Sequence, residues 1–239
     1  MNKKSLVIVP TYNEAKNIGP LVGQIFAILP SLSILFVDDN SPDGTLQRIE
    51  DVQKQHPMRI DVISRSGKLG LGTAYIAGFR WGLENGFDYF IEMDADFSHD
   101  PRYLPRFLEL LETNDVVVGS RYIPGGGTKN WNWLRRLISR AGSFYARTVL
   151  GLRLIDLTGG FNAWRRNVLE SIGLDRIKSE GYAFQIELKY RAHLKGFRIV
   201  ESPIIFVDRL VGTSKMSKKI VWEAIYRVLM LRFGKHSEV

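Results

Sequence analysis

The chain has 239 residues, enough for one large domain or two small ones and for a sizeable core. Hydrophobic residues make up 45% and charged residues 24%, a globular composition, and with no cysteine a disulfide framework, a thiolate zinc site and a cysteine nucleophile are all excluded. The net charge of +8 admits a phosphorylated small molecule, an anionic membrane surface or nucleic acid as partner. Both signs mix in the first 130 residues, whereas cations gather from Arg135 onward through Arg136, Arg140, Arg147, Arg209, Lys215, Lys218, Lys219, Arg227, Arg232 and Lys235.

The N-terminus MNKKSLVIVPTYNE has too short an apolar run for a signal peptide, and no stretch is long and apolar enough to predict a spanning helix. Leu6 to Val9 reads as a buried parallel strand closed by Pro10. Asn17 to Leu29 has helical spacing through Ile18, Leu21, Val22 and Ile25, and Pro30 stops it. Ile34 to Val37 is a second strand, ended by Asp38-Asp39. The turn residues Asn40 to Gly44 follow, where Ser41 or Asp43 can cap a helix through Ile49 and Val52. Ile60 to Ile63 is a third strand, Leu71 to Leu83 a helix, Tyr89 to Met93 a fourth strand, Leu104 to Leu111 a helix and Val116 to Val118 a fifth strand. This alternation predicts an α/β fold with an open, mostly parallel sheet flanked by helices. Beyond Arg121 the pattern changes. Pro124 to Gly127 reads as a flexible loop, Trp131 to Leu150 as a helix with basic and aromatic residues interleaved, and Leu157 to Trp164 as irregular and glycine-rich. Gly181 to Leu194 is a helix, Phe197 to Val200 and Ile204 to Val207 are strands, and Lys218 to Phe233 is a terminal helix.

In such sheets ligands sit beyond the carboxyl ends of the strands. The polar sets Pro10-Thr11-Tyr12-Asn13-Glu14, Asp38-Asp39, Asp94-Ala95-Asp96 and Gly119-Ser120-Arg121 all fall there. Asp94 and Asp96, with one intervening residue at a strand end, point the same way. They can hold a hard cation such as Mg²⁺ or Mn²⁺ that completes its shell with water and phosphate oxygens. A turn with helix-capping acids is the competing account, and it suits Asp100 and Ser98. His99 alone reads as a structural hydrogen bonder. Arg121 can reach the same edge, and Arg209 and Lys215 flank a loop in which Gly212 permits close backbone approach. Gly67 to Thr73 has neither glycine-rich phosphate-loop order, and its alternatives are a tight turn and an anion site at a helix start.

The stretches PTYNE (10–14), VDDNSPDGT (37–45), KLGLGTAYIAG (68–78), MDADFSHDP (93–101), GSRY (119–122), DLTGGF (156–161), GYAFQIE (181–187) and FVDRLVGTSK (206–215) resemble glycosyltransferase family 2. Within it they resemble the dolichyl- or polyprenyl-phosphate mannose synthases, from about Leu6 to Lys215. The resemblance implies a GT-A type, nucleotide-sugar-binding Rossmann-like fold. It implies a single catalytic domain over residues 1–213, with a nucleotide-sugar half (1–122) and an acceptor half (123–213), and a C-terminal amphipathic tail at 214–239. The implied reaction is inverting transfer of mannose from GDP-mannose to a polyprenyl or dolichyl phosphate. Pro10, Tyr12, Glu14, Val37 and Asp39 would surround the nucleoside, and Asp94, Ala95 and Asp96 the metal and sugar diphosphate. Arg121, Arg209 and Lys215 match positions that contact phosphates. Ser98 stands where some relatives carry a glutamine metal ligand, so either Ser98 or water completes that position.

A lipid acceptor gives the basic second half a use. Trp131 to Leu150 and Lys218 to Phe233 combine aromatic, apolar and cationic residues suited to a membrane interface, the alternative being core-packing amphipathic helices. The expected location is cytoplasmic and peripheral, on the cytoplasmic face of a membrane, with a separate membrane protein as a possible further anchor. The competing functions are a UDP-sugar transferase of the same fold, an inactive nucleotide-sugar-binding subunit and a nucleic-acid-binding module. The last leaves the acidic strand ends without a use, so no nucleic acid is expected among the partners.

Overall fold

The computed structural model describes residues 3–177, 179–208 and 218–234, without the side chains of 218–224. The first half runs β1 (Ser5–Thr11), α1 (Ala15–Ile28), β2 (Ser33–Asp38), α2 (Thr45–Gln55), β3 (Ile60–Ser64), α3 (Leu71–Glu84), β4 (Tyr89–Glu92), α4 (Leu104–Leu111) and β5 (Val116–Ser120). The second half adds β6 (Gly127–Lys129), α5 (Trp133–Leu150), β7 (Asn162–Arg165), α6 (Arg166–Ser171), α7 (Gly181–Leu194), β8 (Ile199–Pro203), β9 (Ile205–Val207) and α8 (Lys218–Phe233). Among the described residues no helix is long and apolar enough to cross a membrane.

The main sheet has seven strands in the order β3-β2-β1-β4-β7-β5-β8. All its pairings are parallel except those of β7, which runs antiparallel between β4 and β5. Side chains alternate across the strands. Val7, Val9, Phe36 and Ile91 therefore meet Leu21, Ile25, Ile49, Phe107 and Leu111 on one face, while Leu6, Ile8, Val37 and Phe90 meet Tyr75, Phe79, Val168 and Leu188 on the other. On the second face α3 lies very close. A Cβ at Gly78 would stand 2.5 Å from an Ile8 methyl carbon, and one at Gly82 would stand 2.5 Å from the Phe90 ring.

The sequence expectations differ from the structure in specific places. The tail of the stretch expected to be irregular, Asn162–Arg165, is the central strand β7. It shows no alternation because Asn162, Ala163 and Trp164 are all buried. Its place is fixed by distant partners, since Asn162 Nδ2 and Trp164 Nε1 both donate to Glu92 (2.9 and 3.0 Å). The loop expected at Pro124 to Gly127 leads into β6, which pairs in parallel with β9 as a separate small sheet. The strand expected at Phe197 to Val200 lies further on, as β8. Helix α5 begins at Trp133, where the Asn132 side chain accepts the Arg135 N–H (2.8 Å) and caps it.

Candidate active site

Because β1, β2, β4 and β5 run the same way, their carboxyl ends share one edge, and the amino end of antiparallel β7 reaches it too. The backbone turns sharply there. Asn13, Asn40 and Phe97, directly after β1, after β2 and within the acidic turn beyond β4, adopt positive φ (63°, 55° and 61°). For Phe97 this is an uncommon conformation that tertiary packing must impose.

On the β1–β2 side the paired aspartates divide their work. Asp38, fully buried, accepts from Thr11 Oγ1 (2.9 Å), Ser41 Oγ (2.6 Å) and the Ser41 N–H (3.0 Å), and so ties the two strand ends together. Asp39 faces Arg65, whose Nε donates to it at 2.5 Å, and accepts the Leu69 N–H at 3.2 Å. Arg65 also donates to Thr73 Oγ1 (2.7 Å) and the Gly70 carbonyl (3.0 Å). Residues 67–70 of the glycine-containing segment are thus a loop held against Asp39 that leads into the start of α3 at Leu71. Lys68 Nζ lies 4.1 Å above the Tyr12 ring, closing the same corner. Pro10 and Val37 are register partners at the strand ends. Glu14 accepts from Asn17 Nδ2 (2.6 Å), and its N–H donates to Thr45 Oγ1 (2.9 Å). The N-cap of α2 is Gly44, in the left-handed conformation, and neither Ser41 nor Asp43 caps the helix as expected; Asp43 accepts the Thr45 N–H (3.1 Å) from the turn before it.

The acidic turn sits at the centre. Asp94 accepts from Tyr75 Oη (3.3 Å), and its N–H donates to His99 Nδ1 (3.0 Å). Asp96 accepts the Ser98 N–H (3.0 Å). Ala95 and Ser98 are buried, whereas Asp94 and Asp96 are partly exposed. His99 is buried, stacked on Phe161 with ring centres 4.7 Å apart and met edge-on by Phe206 at 5.6 Å. Burial holds its pKa below the ordinary imidazole value, against the pull of Asp94 and Asp96, so the ring is neutral with its proton on Nε2. Among the described residues no three His, Asp or Glu side chains gather into a metal cage. Two hard carboxylates at an open edge suit a cation that takes its remaining ligands from water and phosphate.

Arg121 is placed at this edge but is buried, with its Nε and Nη2 donating to Asp156 at 2.7 Å each and Nη2 also to Thr158 Oγ1 at 2.8 Å. Burial alone would raise the Asp156 carboxyl, but the guanidinium beside it outweighs burial and holds it below the ordinary carboxylate range. Beneath lies a buried polar lattice. Glu92 accepts from Asn162, Trp164 and Gln185 Nε2 (2.9 Å), and Lys189 Nζ donates to the carbonyls of Leu157 (3.1 Å) and Gly159 (2.7 Å). Burial pushes Glu92 up and Lys189 down.

Pro10, Tyr12, Glu14, Val37, Asp39, Asp94, Ala95, Asp96, Ser98 and Arg121 therefore lie on or beside one strand edge. Arg209 and Lys215 fall outside the described residues. Asp208, just before them, is ion-paired with Arg135 of α5 (2.5 Å), and Arg135 also covers the Trp131 ring at 4.2 Å. Sequence reasoning passed over Arg65, Tyr75, Asp156, Gln185 and Lys189. Arg65 follows β3 directly, so the strand-end rule that found Asp39 could have found it. Lys189 sits in a helix of mixed polarity and carries no comparable signal.

A mostly parallel sheet with helices on both faces, and acidic and basic side chains assembled along its carboxyl edge, forms a glycosyltransferase domain of the GT-A type. The chain belongs to glycosyl transferase family 2, whose family model matches residues 6–173. It is 45% identical over 227 residues to a polyprenol monophosphomannose synthase of Mycolicibacterium smegmatis, covering 95% of this chain and 86% of that one. It is 49% identical over 223 residues to an undecaprenyl-phosphate mannosyltransferase of Micrococcus luteus, covering 93% and 91%. In fold it is similar to glucosyl-3-phosphoglycerate synthase from Mycobacterium tuberculosis. The complex with Mn²⁺, UDP and glucosyl-3-phosphoglycerate has a TM-score of 0.69 at 18% identity, covering 97% of this chain and 80% of that one. The complex with Mg²⁺ and UDP gives 0.70 at 19%, with the same coverage.

Proposed function

We infer that this chain transfers mannose from GDP-mannose to the phosphate of a polyprenyl (dolichyl-type) monophosphate, with inversion, giving β-mannosyl phosphoryl polyprenol and GDP. The observation that carries this reading is the near-half identity, over more than nine-tenths of the chain, to relatives named for mannosyl transfer to polyprenyl phosphate. The acidic turn at the carboxyl edge supports it from the structural side. Residues 1–122 would hold the donor and residues 123–213 the acceptor.

The Tyr12, Asp39, Arg65 and Lys68 corner would receive the nucleoside, and Asp94 and Asp96 would face the sugar diphosphate. When bound there, Mg²⁺ or Mn²⁺ would offset the charge that grows on the departing diphosphate. The acceptor phosphate has a second pKa of about 6 and is largely dianionic at neutral pH, so it needs little help from a base. One of its oxygens would form the bond to mannose C1 as the bond from C1 to the GDP oxygen breaks, with that electron pair leaving on GDP. Arg209 and Lys215 would neutralise phosphate charge on either side of this exchange, while Arg121, already paired with the buried Asp156, would hold the edge in place rather than meet phosphate as a free cation.

The lipid would approach along α5 and α8. Trp133, Leu134, Leu137, Phe144, Tyr226, Leu229, Met230 and Phe233 are all exposed on these helices. Arg140 and Arg147, with Tyr122, Phe144 and Ile155, line a cavity of about 310 Å³ beside them. An apolar surface edged by arginines suits an anionic membrane interface. The test offers purified protein a short polyprenyl phosphate, with Mg²⁺ or Mn²⁺, and GDP-mannose, UDP-glucose or UDP-N-acetylglucosamine. Lipid-linked sugar formed from GDP-mannose, and lost with EDTA or in Asp96→Ala, is expected. Transfer from a UDP-sugar instead, or near-native turnover by Asp96→Ala, would overturn the donor or the metal assignment respectively.

A further inference from the structure

Asp94 is bracketed by two buried groups, one from α3 and one from its own turn. Tyr75 comes from the middle of α3 and is itself fully buried, its ring stacked parallel to Phe184 at 6.2 Å, so its hydroxyl is brought to Asp94 Oδ1 by a rigid wall. A tyrosine hydroxyl is a donor, and here its hydrogen is directed at the carboxylate. On the other side the positive φ of Phe97 turns the chain back so that His99 lies under Asp94. Accepting the Asp94 N–H on Nδ1 fixes the neutral tautomer that carries the proton on Nε2, and that nitrogen stands 3.9 Å from Asp94 Oδ2. The parallel stack on Phe161 of the DLTGGF segment prevents the ring from swinging away. Asp96 accepts the N–H of Ser98 within its own turn.

We propose that Tyr75 and His99 are positioning residues that set the direction of the Asp94 carboxylate toward a divalent cation and the donor diphosphate. This rests on the reading of Asp94 and Asp96 as the cation-facing pair. Tyr75 hydrogen-bonds the carboxylate itself and His99 anchors the backbone N–H of the same residue; losing such an orienting partner typically weakens metal affinity by about 10- to 100-fold. The bracket also gives separated motifs a common purpose. The helix of GTAYIAG supplies Tyr75, DADFSH supplies both aspartates and His99, and DLTGGF supplies the floor under the imidazole.

The test measures Mn²⁺ uptake by electron paramagnetic resonance in the presence of GDP or UDP, and GDP or UDP binding without metal by calorimetry. Tyr75→Phe keeps the ring stack and removes the hydroxyl alone. His99→Phe keeps a ring over Phe161 and removes the acceptor, while His99→Asn offers an oxygen to the Asp94 N–H. We expect Mn²⁺ affinity to fall at least tenfold in Tyr75→Phe and His99→Phe and to recover in part in His99→Asn. Metal-free nucleotide affinity and the melting temperature of Tyr75→Phe should stay near wild type. Wild-type Mn²⁺ curves in Tyr75→Phe and His99→Phe would overturn the bracket and leave the metal reading standing. A parallel loss of metal-free nucleotide binding would mark the residues as general packing. Should His99→Phe not fold, Tyr75→Phe decides. A wild-type protein that takes up Mn²⁺ with neither nucleotide would overturn the metal reading and the bracket together.

Discussion

Replacing Asp156 by asparagine tests whether the buried Arg121–Asp156 pair supports the carboxyl edge of the sheet. The carboxylate accepts four hydrogen bonds. Oδ2 takes the Arg121 N–H (3.0 Å) and Nε (2.7 Å), and Oδ1 takes Arg121 Nη2 (2.7 Å) and the Gly159 N–H (3.1 Å). An asparagine amide can accept on one side only, so in either orientation two donors face an NH₂ group. Each buried donor left without an acceptor costs about 1–3 kcal/mol. The guanidinium also loses its counter-ion, and breaking a buried pair from one side costs about 3–5 kcal/mol in all. For a chain of this size that is a fall in melting temperature of about 10 °C. Urea unfolding followed by circular dichroism measures it, and adding Arg121→Met to the variant should recover part of the loss by removing the stranded charge. The pH dependence has a definite sign. The folded carboxyl lies below its ordinary value of 3.8, so its contribution is complete above that value. It disappears as pH falls through the depressed value, and the gap between wild type and Asp156→Asn should close only in strong acid. A gap under about 1 kcal/mol at neutral pH, or no recovery in the double variant, would refute the argument.

Other expectations follow from particular contacts. Gly82→Ala would put a methyl 2.5 Å from the Phe90 ring and 2.7 Å from Leu6. It should destabilise by about 1–3 kcal/mol through overpacking. Gly23→Ala in α1, where a Cβ meets nothing within 4 Å, should stabilise by up to about 1 kcal/mol, and thermal melts of the two variants should shift in opposite directions. Arg65→Ala releases Asp39 and the Gly70 turn, and calorimetry should show GDP affinity falling about tenfold, or about 1.4 kcal/mol, if that corner holds the nucleoside. Leu137→Glu with Phe144→Glu should abolish sedimentation with anionic vesicles while leaving the melting temperature within a few degrees, because both side chains are exposed.

The β-α alternation of the first half was legible because each strand there is a short apolar run closed by turn chemistry and each helix repeats its apolar residues at helical spacing. The site was legible for the same reason. In a parallel sheet the strand ends share an edge, so Asp39, Asp94, Asp96 and Arg121 could be grouped before any coordinates were known. What escaped is the layer beneath. The Glu92–Gln185 hydrogen bond joins residues 93 positions apart and the Glu92–Trp164 bond joins residues 72 apart, and neither partner sits in a local pattern that would announce the other. β7 escaped with them, since a four-residue strand buried on both sides has no period to display.

That layer bears on why the second half of the chain belongs to the site at all. A parallel sheet built from β1 to β5 would place β5 beside β4. Here β7 comes between them, antiparallel, and delivers Asn162 beside Glu92 two residues before Asp94. The turn that precedes β7 holds Asp156 against Arg121 and Phe161 against His99. Lys189 of α7 fastens that turn from below through the carbonyls of Leu157 and Gly159. The acidic turn and the arginine beyond β5 are thus kept at a fixed spacing by one inserted strand and its turn. A substitution in DLTGGF or α7 should therefore disturb both sides of the edge together, and variants there should be strongly non-additive with variants at His99 and Arg121.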